Sequence, residues 1–260
     1  MKVVILAGGY GTRISEESMV KPKPMIEIGG QPILWHIMKE YSYYGYHEFI
    51  ICAGYKQHVI KEYFANYYLY RSDITFDFTK ENAVLIHHNA AEPWKVTVVD
   101  TGLHTLTGGR IQKIQDYINN ESFLITYGDA VCDVNIQDVV SFHKKHGKVI
   151  TMTAVQPEGR FGTLQIGEHH IVDTFSEKKK EDSGWINGGY MVAEPKLFDY
   201  ISGEQVALER EPLRKLSGEK QLAAYKHRGF WKCMDTLKEK NQLDEMIQCG
   251  HAPWMVWGGV

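Results

Sequence analysis

Short apolar runs alternate with helical periodicity through the first 150 residues of the chain. Val3-Val4-Ile5-Leu6-Ala7 is five consecutive apolar residues stopped by two glycines, which predicts a strand buried on both faces. Pro32 opens a helix whose apolar face is Leu34, Ile37, Met38 and Tyr41, and Gly45 closes it. Residues 48–52 read as a second strand, 57–68 as a second helix and 122–126 as a third buried strand. Asn135 is placed to cap a helix carrying Ile136, Val139, Val140 and His143 on one face. Strands alternating with helices predict an α/β fold with a parallel sheet covered on both sides and ligands at the carboxyl ends of the strands. Beyond residue 150 the helices thin out. Strand-like segments at 149–155, 162–166, 171–175 and 185–192 follow, before helices resume near Pro195. No repeat, linker or long charge run divides the chain, so 1–260 reads as one domain with a modified second half.

Residues 63–94 do not fit a minimal α/β unit, since they hold Tyr63, Phe64, Tyr67, Tyr68, Tyr70, Phe76, Phe78 and Trp94. Ile74, Phe76 and Phe78 alternate as a strand does; Lys80-Glu81-Asn82 can turn it and 83–86 can return. Two outcomes stand open: a hairpin packed on its own domain, or a contact that makes the protein a homo-oligomer.

Composition narrows the classes. Of 260 residues, 43% are hydrophobic and 23% charged, which excludes disorder as the main state. A net charge of −3, from 29 Lys and Arg against 32 Asp and Glu, argues against a nucleic-acid coat, so any anion binding must be local. The five-residue apolar opening is too short for a signal peptide, and no run approaches the roughly 18–20 apolar residues of a membrane helix. A cytoplasmic protein is expected, with Cys52, Cys132, Cys233 and Cys249 as free thiols. The adjacent pairs His87-His88 and His169-His170 point to opposite faces of a strand and cannot easily chelate one ion.

Leu6-Ala7-Gly8-Gly9-Tyr10-Gly11-Thr12-Arg13 follows the first strand at once. Such glycines let the backbone turn tightly and aim N–H groups at an anion. A dinucleotide loop is one alternative, but Ile14 stands where the third glycine of GxGxxG would be, and Pro22 and Pro24 forbid an uninterrupted helix. A Walker loop would need Gly-Lys-Ser/Thr, which is absent. Instead Arg13 and then Lys21-Pro22-Lys23-Pro24-Met25 bring positive charge beside the loop, as a binder of several phosphates requires. Asp129 ends a buried strand after Gly128, where a parallel sheet presents ligands. From pattern alone Asp235 reads as the N-cap of the amphipathic stretch Leu237, Leu243, Met246, Ile247.

GGYGTR followed by KPKPM resembles the signature of the sugar-1-phosphate nucleotidyltransferases. The resemblance runs along nearly the whole chain, through Gln31 to Met38, Ile60 to Tyr67, Glu92-Pro93-Trp94, Val99 to Gly102, Thr107 to Arg110 and Trp185 to Gly189, and looks like the cytidylyl branch. It implies a Rossmann-like nucleotidyltransferase fold, a mostly parallel or mixed sheet flanked by helices, with a β-rich sugar-binding half and an inserted hairpin. The first 150 residues would mainly bind nucleotide, and 151–260 the sugar. The implied reaction joins CTP and α-D-glucose 1-phosphate into CDP-glucose and pyrophosphate, assisted by Mg²⁺. The product would feed CDP-linked deoxysugars of bacterial surface polysaccharide, such as O-antigen and lipopolysaccharide.

By the same resemblance, Leu6, Ala7, Gly8, Gly9, Tyr10, Gly11, Thr12, Arg13, Lys23 and Asp129 would meet the nucleotide, with Arg13, Lys23 and Asp129 catalytic. Asp129 and Asp235 would hold the metal, and Asp133 would be structural. Glu177, Lys178, Asn187 and Gly188 would bind the sugar phosphate, although Lys179 replaces the proline usual after that lysine and leaves open which of Lys178–Lys180 holds the phosphate. Thymidylyl and uridylyl relatives read the base with a Gln and a Pro-x-Gly-Leu-Ala stretch, both absent here. Thr105 and Arg110 are the candidates for cytosine, which needs donors and acceptors of both kinds. Two alternatives remain at this stage: the same reaction with UTP, dTTP or another hexose 1-phosphate, and a non-catalytic nucleotide-sugar-binding relative.

Overall fold

The computed structural model describes residues 1–157, 163–166, 172–176 and 184–258. At its centre the Val3–Ala7 strand lies parallel to Glu48–Ala53 on one side and Phe123–Tyr127 on the other. Lys95–Asp100 extends the parallel set beyond Glu48–Ala53. On the opposite side the sheet turns antiparallel through Met191–Ala193, Ile150–Val155 and Ile186–Asn187, with Leu222–His227 parallel to Ile150–Val155. The sheet is therefore mixed, and its parallel half is the first half of the chain.

Alternation along the first strand divides the core. Val3, Ile5 and Ala7 pack with the Ile33–Tyr43 helix residues Leu34, Ile37, Met38 and Tyr41. Val4 and Leu6 point the other way, onto Ile111, Ile114, Ile118 and Phe198. Each strand side chain thus buries against a helical layer, which is why the run carries no polar residue. The Ile136–His146 helix is capped as expected: Asn135 Oδ1 accepts from the Gln137 and Asp138 N–H groups, and Gly147 ends it at φ +62°.

Three elements differ from the sequence pattern. The 57–68 helix is two, Gln57–Ala65 and Tyr67–Tyr70, parted at Asn66. The 185–192 strand is interrupted, because Gly189 and Tyr190 take left-handed φ angles of +77° and +47°. Lys95–Asp100 is a strand that periodicity does not mark, since it is half-exposed along most of its length. The hairpin forms where expected, with Ser72–Asp77 antiparallel to Ala83–Asn89. Much of it faces solvent: every residue of the second strand is exposed, as are Phe76 and Phe78.

Candidate active site

A cavity of 430 Å³ opens at the carboxyl ends of the parallel strands. Its lining includes Leu6 to Arg13, Lys23, Thr105, Arg110, Asp129 and Asp235, so every residue expected to meet nucleotide or metal shares one space. The glycine loop is shaped by two demands. Gly11 sits at φ +67°, where a side chain is strained, and the Ile14 N–H closes the turn on its carbonyl at 3.1 Å. Gly8 leaves room for Arg110, whose Nη1 would lie 2.1 Å from a Cβ placed there.

Lys23 is buried in the cavity floor, on a single helical turn Lys23–Met25 that Pro22 and Pro24 set up. Its Nζ donates to Asp129 Oδ2 at 2.7 Å and to Asp235 Oδ1 at 2.5 Å. Arg13 Nη1 donates to the other oxygen, Asp235 Oδ2, at 2.6 Å. Burial disfavours the charged ammonium, but the two facing carboxylates outweigh it, and the Lys23 pKa is raised. Burial likewise works against the Asp235 carboxylate, yet Lys23 and Arg13 prevail and hold its pKa below the ordinary value.

A ribbon of two short strands brings the acids together. Ala130–Cys132 runs antiparallel to Trp231–Cys233, and the Met234 N–H donates to the Asp129 carbonyl at 2.8 Å. Asp235 is not the helix cap that its position suggests. Thr236 caps Leu237–Gln248, in a capping box with Glu239, because its hydroxyl lies one residue closer to the free N–H groups. The Asp235 carboxylate is turned into the cavity instead. Two carboxylates converging on one cation are the donor set that a divalent ion takes alongside substrate phosphates, so the pair fits such an ion.

Arg110, expected to contact the nucleotide, lines the cavity and is at the same time held by the fold. Its guanidinium is buried and donates to the carbonyls of Gly8, Ala53, Gly102 and Leu103 and to Thr101 Oγ1. It reaches the cavity wall, but these bonds make it a clamp between the glycine loop and the 101–103 loop. Thr105 lines the cavity beside it and is buried.

Asn187 and Gly188 lie outside the cavity lining. Asn187 Nδ2 donates to the Tyr127 hydroxyl at 3.0 Å, and its Oδ1 accepts from the Gly189 N–H at 2.9 Å. Gly188 accepts from Trp231 Nε1 at 2.8 Å. Glu177 and Lys178 fall outside the described residues. Sequence reasoning missed Tyr127 and His104, both in the lining: the Tyr127 hydroxyl donates to Glu209 at 2.6 Å, and the Tyr10 hydroxyl meets His104 Nδ1 at 3.2 Å. Glu209 carries no motif, and only the fold brings it near.

Among the described residues one further set of ligand atoms gathers, from Cys132, Asp133 and His227. Asp133 is already occupied there, accepting from the Phe230 N–H at 2.8 Å and pairing with His227 at 2.8 Å, which fits a structural role. Burial also pushes the Cys132 thiol well above its ordinary pKa and keeps it protonated.

A nucleotidyl transferase family model matches residues 2–236, and the chain belongs to that family. A glucose-1-phosphate cytidylyltransferase of Salmonella typhi is 53% identical over 258 residues, spanning 99% of this chain and all of that protein. A probable glucose-1-phosphate cytidylyltransferase of Bacillus subtilis is 44% identical over the same coverage. The crystal structure of HddC from Yersinia pseudotuberculosis superposes with a TM-score of 0.68 at 22% identity, over 95% of this chain and 99% of that one, which shows the shared fold. No helix among the described residues is long and apolar enough to cross a membrane.

Proposed function

We propose that the protein transfers a cytidylyl group from CTP to α-D-glucose 1-phosphate, giving CDP-glucose and pyrophosphate. Identity of 53% along nearly the whole of both chains supports the choice of substrates. The observation that carries the reaction class is the meeting of Lys23, Asp129 and Asp235 beneath a glycine loop. A phosphate oxygen of the sugar phosphate attacks the α-phosphorus in line. The bond from that phosphorus to the bridging oxygen breaks, and pyrophosphate leaves with the electron pair. The attacking phosphate is already ionised, so positioning and charge stabilisation carry the rate rather than a general base.

Asp129 and Asp235 would hold Mg²⁺, which supplies neutralisation of charge on the phosphate oxygens. Arg13 and Lys23 bind the triphosphate, with Lys23 beside the α-phosphate. The Gly8–Gly11 backbone cradles the phosphates, and Thr105 takes the base at the wall that Arg110 fixes. Glu177, Lys178, Asn187 and Gly188 form the sugar side, with Asn187 acting through Tyr127. The exposed hairpin supports a homo-oligomer, and a cytoplasmic enzyme suits both substrates.

Turnover of glucose 1-phosphate with CTP, UTP and dTTP, read as pyrophosphate release with and without magnesium, tests the reading. CTP is expected to be strongly preferred and turnover to require the added ion. Preference for UTP or dTTP would overturn the substrate and leave the reaction type.

A further inference from the structure

Behind the cavity, Glu40 is fully buried on the inner face of the Ile33–Tyr43 helix. Its Oε2 lies 2.9 Å from the Tyr190 hydroxyl, which lies 3.1 Å from the Ala130 carbonyl oxygen. Among the described residues its other oxygen, Oε1, has no hydrogen-bond partner. Tyr190 is 1% exposed and stacks on Tyr41 with centroids 5.7 Å apart. A tyrosine hydroxyl carries one proton, so it cannot donate to both neighbours at once. An ionised Glu40 would take that proton, leaving a buried charge with a bare oxygen and Ala130 without the donor. A neutral Glu40 donates to the tyrosine oxygen instead, and the tyrosine proton goes to Ala130. Burial, which raises the Glu40 pKa well above the ordinary value, favours the neutral arrangement.

The ribbon explains why Ala130 needs that donor. Asp129 accepts from Met234 and Asp133 donates to Phe230, so those groups face the partner strand. Carbonyls alternate along an antiparallel strand, and the Ala130 carbonyl points away from it. Tyr190 follows Asn187-Gly188-Gly189 directly and holds a left-handed φ of +47°, a conformation that costs free energy for a residue with a side chain. One hydroxyl therefore joins the segment that carries Asp129 to the segment that carries Asn187.

We propose that Glu40 and Tyr190 are positioning residues, in which a neutral Glu40 donates to Tyr190 so that Tyr190 fixes the backbone beside Asp129. The role rests on the reading of Asp129 as a residue that holds the metal and meets the nucleotide. Neither side chain is among the residues that line the cavity. Each acts through Ala130.

Three variants of the full chain test it: Glu40→Gln, which keeps a neutral donor; Tyr190→Phe, which removes the link; and Glu40→Gln combined with Tyr190→Phe. Infrared spectra at neutral pH should show a protonated-carboxyl band in the wild type that Glu40→Gln loses. Amide exchange at Met234, whose N–H holds the Asp129 carbonyl, should quicken in Tyr190→Phe and not in Glu40→Gln. With CTP, Tyr190→Phe should lower kcat about tenfold with little change in KM, the effect of one lost buried hydrogen bond. Glu40→Gln should stay within about twofold of wild type, and the double variant should match Tyr190→Phe. Absence of the carboxyl band, or unchanged exchange and kcat in Tyr190→Phe, would overturn the proposal. The infrared and exchange measurements use no substrate, so they stand apart from failure of the CTP assignment.

Discussion

Lys23 and Asp235 stand 212 positions apart in the chain and meet at 2.5 Å between Nζ and Oδ1. The same ammonium holds Asp129 at 2.7 Å, so one buried cation gathers both acids before any ligand arrives. On the proposed reading, Asp129 and Asp235 would hold the divalent ion and Lys23 would bind a phosphate oxygen.

Asp129→Asn and Asp235→Asn should each lower turnover on the order of 10²–10³, as loss of a transition-state charge stabiliser does. Thr236→Ala separates this role from helix capping. It should cost about 1 kcal/mol of stability, read by urea denaturation, and leave kcat near wild type. If Asp235→Asn kept magnesium-dependent turnover, Asp235 would have no part in the chemistry.

Arg110→Ala should destabilise the fold by about 2–4 kcal/mol, because removing the buried guanidinium leaves several carbonyls without a donor. It should also raise KM for CTP through the loosened Gly8 and Leu103 loops. Arg110→Lys should rescue little, since a single ammonium cannot reproduce the fork that bridges those loops. Denaturant midpoints and CTP saturation curves read both effects.

The His36 ring is buried, with Nε2 donating to the Ile28 carbonyl at 2.9 Å and Nδ1 accepting from Trp254 at 3.4 Å. Burial lowers its pKa from 6.5 to about 4. The unfolded chain therefore takes up a proton that the folded chain refuses. Stability from this group is fully present above pH 6.5 and is lost as pH falls toward 4. Between pH 7 and pH 5 the loss should be about 2 kcal/mol, and in His36→Gln this share of the pH dependence should vanish. Urea midpoints at the two pH values check the difference.

Deletion of residues 70–90 should reduce the native mass measured by light scattering by more than the deleted residues weigh, since it removes the exposed apolar side chains Phe76, Phe78, Val84, Leu85 and Ile86. An unchanged mass would place the oligomer contact elsewhere or show that none forms. The single substitution Phe78→Asp should weaken the same assembly while leaving the fold intact, because Phe78 is exposed.

Local sequence determined much of this protein. Five unbroken apolar residues before two glycines specify a buried strand ending in a phosphate-sized turn, and Asn135 with Gly147 bounds its helix, because these choices depend on neighbours a few residues away. Arg13, Lys23 and Asp129 were legible for the same reason, each lying in a short motif beside the glycine loop or a strand end, whereas the metal role of Asp235 came only from the family resemblance. Tertiary structure decided what those residues do to one another. Asp235 looks like a cap in sequence, and only the ribbon Ala130–Cys132 with Trp231–Cys233 turns it toward Lys23. Arg110 reads in sequence as a nucleotide contact, and only the folded loops add the carbonyls it bridges. Glu40 lies in no sequence motif, and only the packed helix layer buries it 2.9 Å from the Tyr190 hydroxyl and raises its pKa. A side chain's charge, partners and exposure depend on atoms that the fold brings in from other segments, and no local pattern encodes that arrangement.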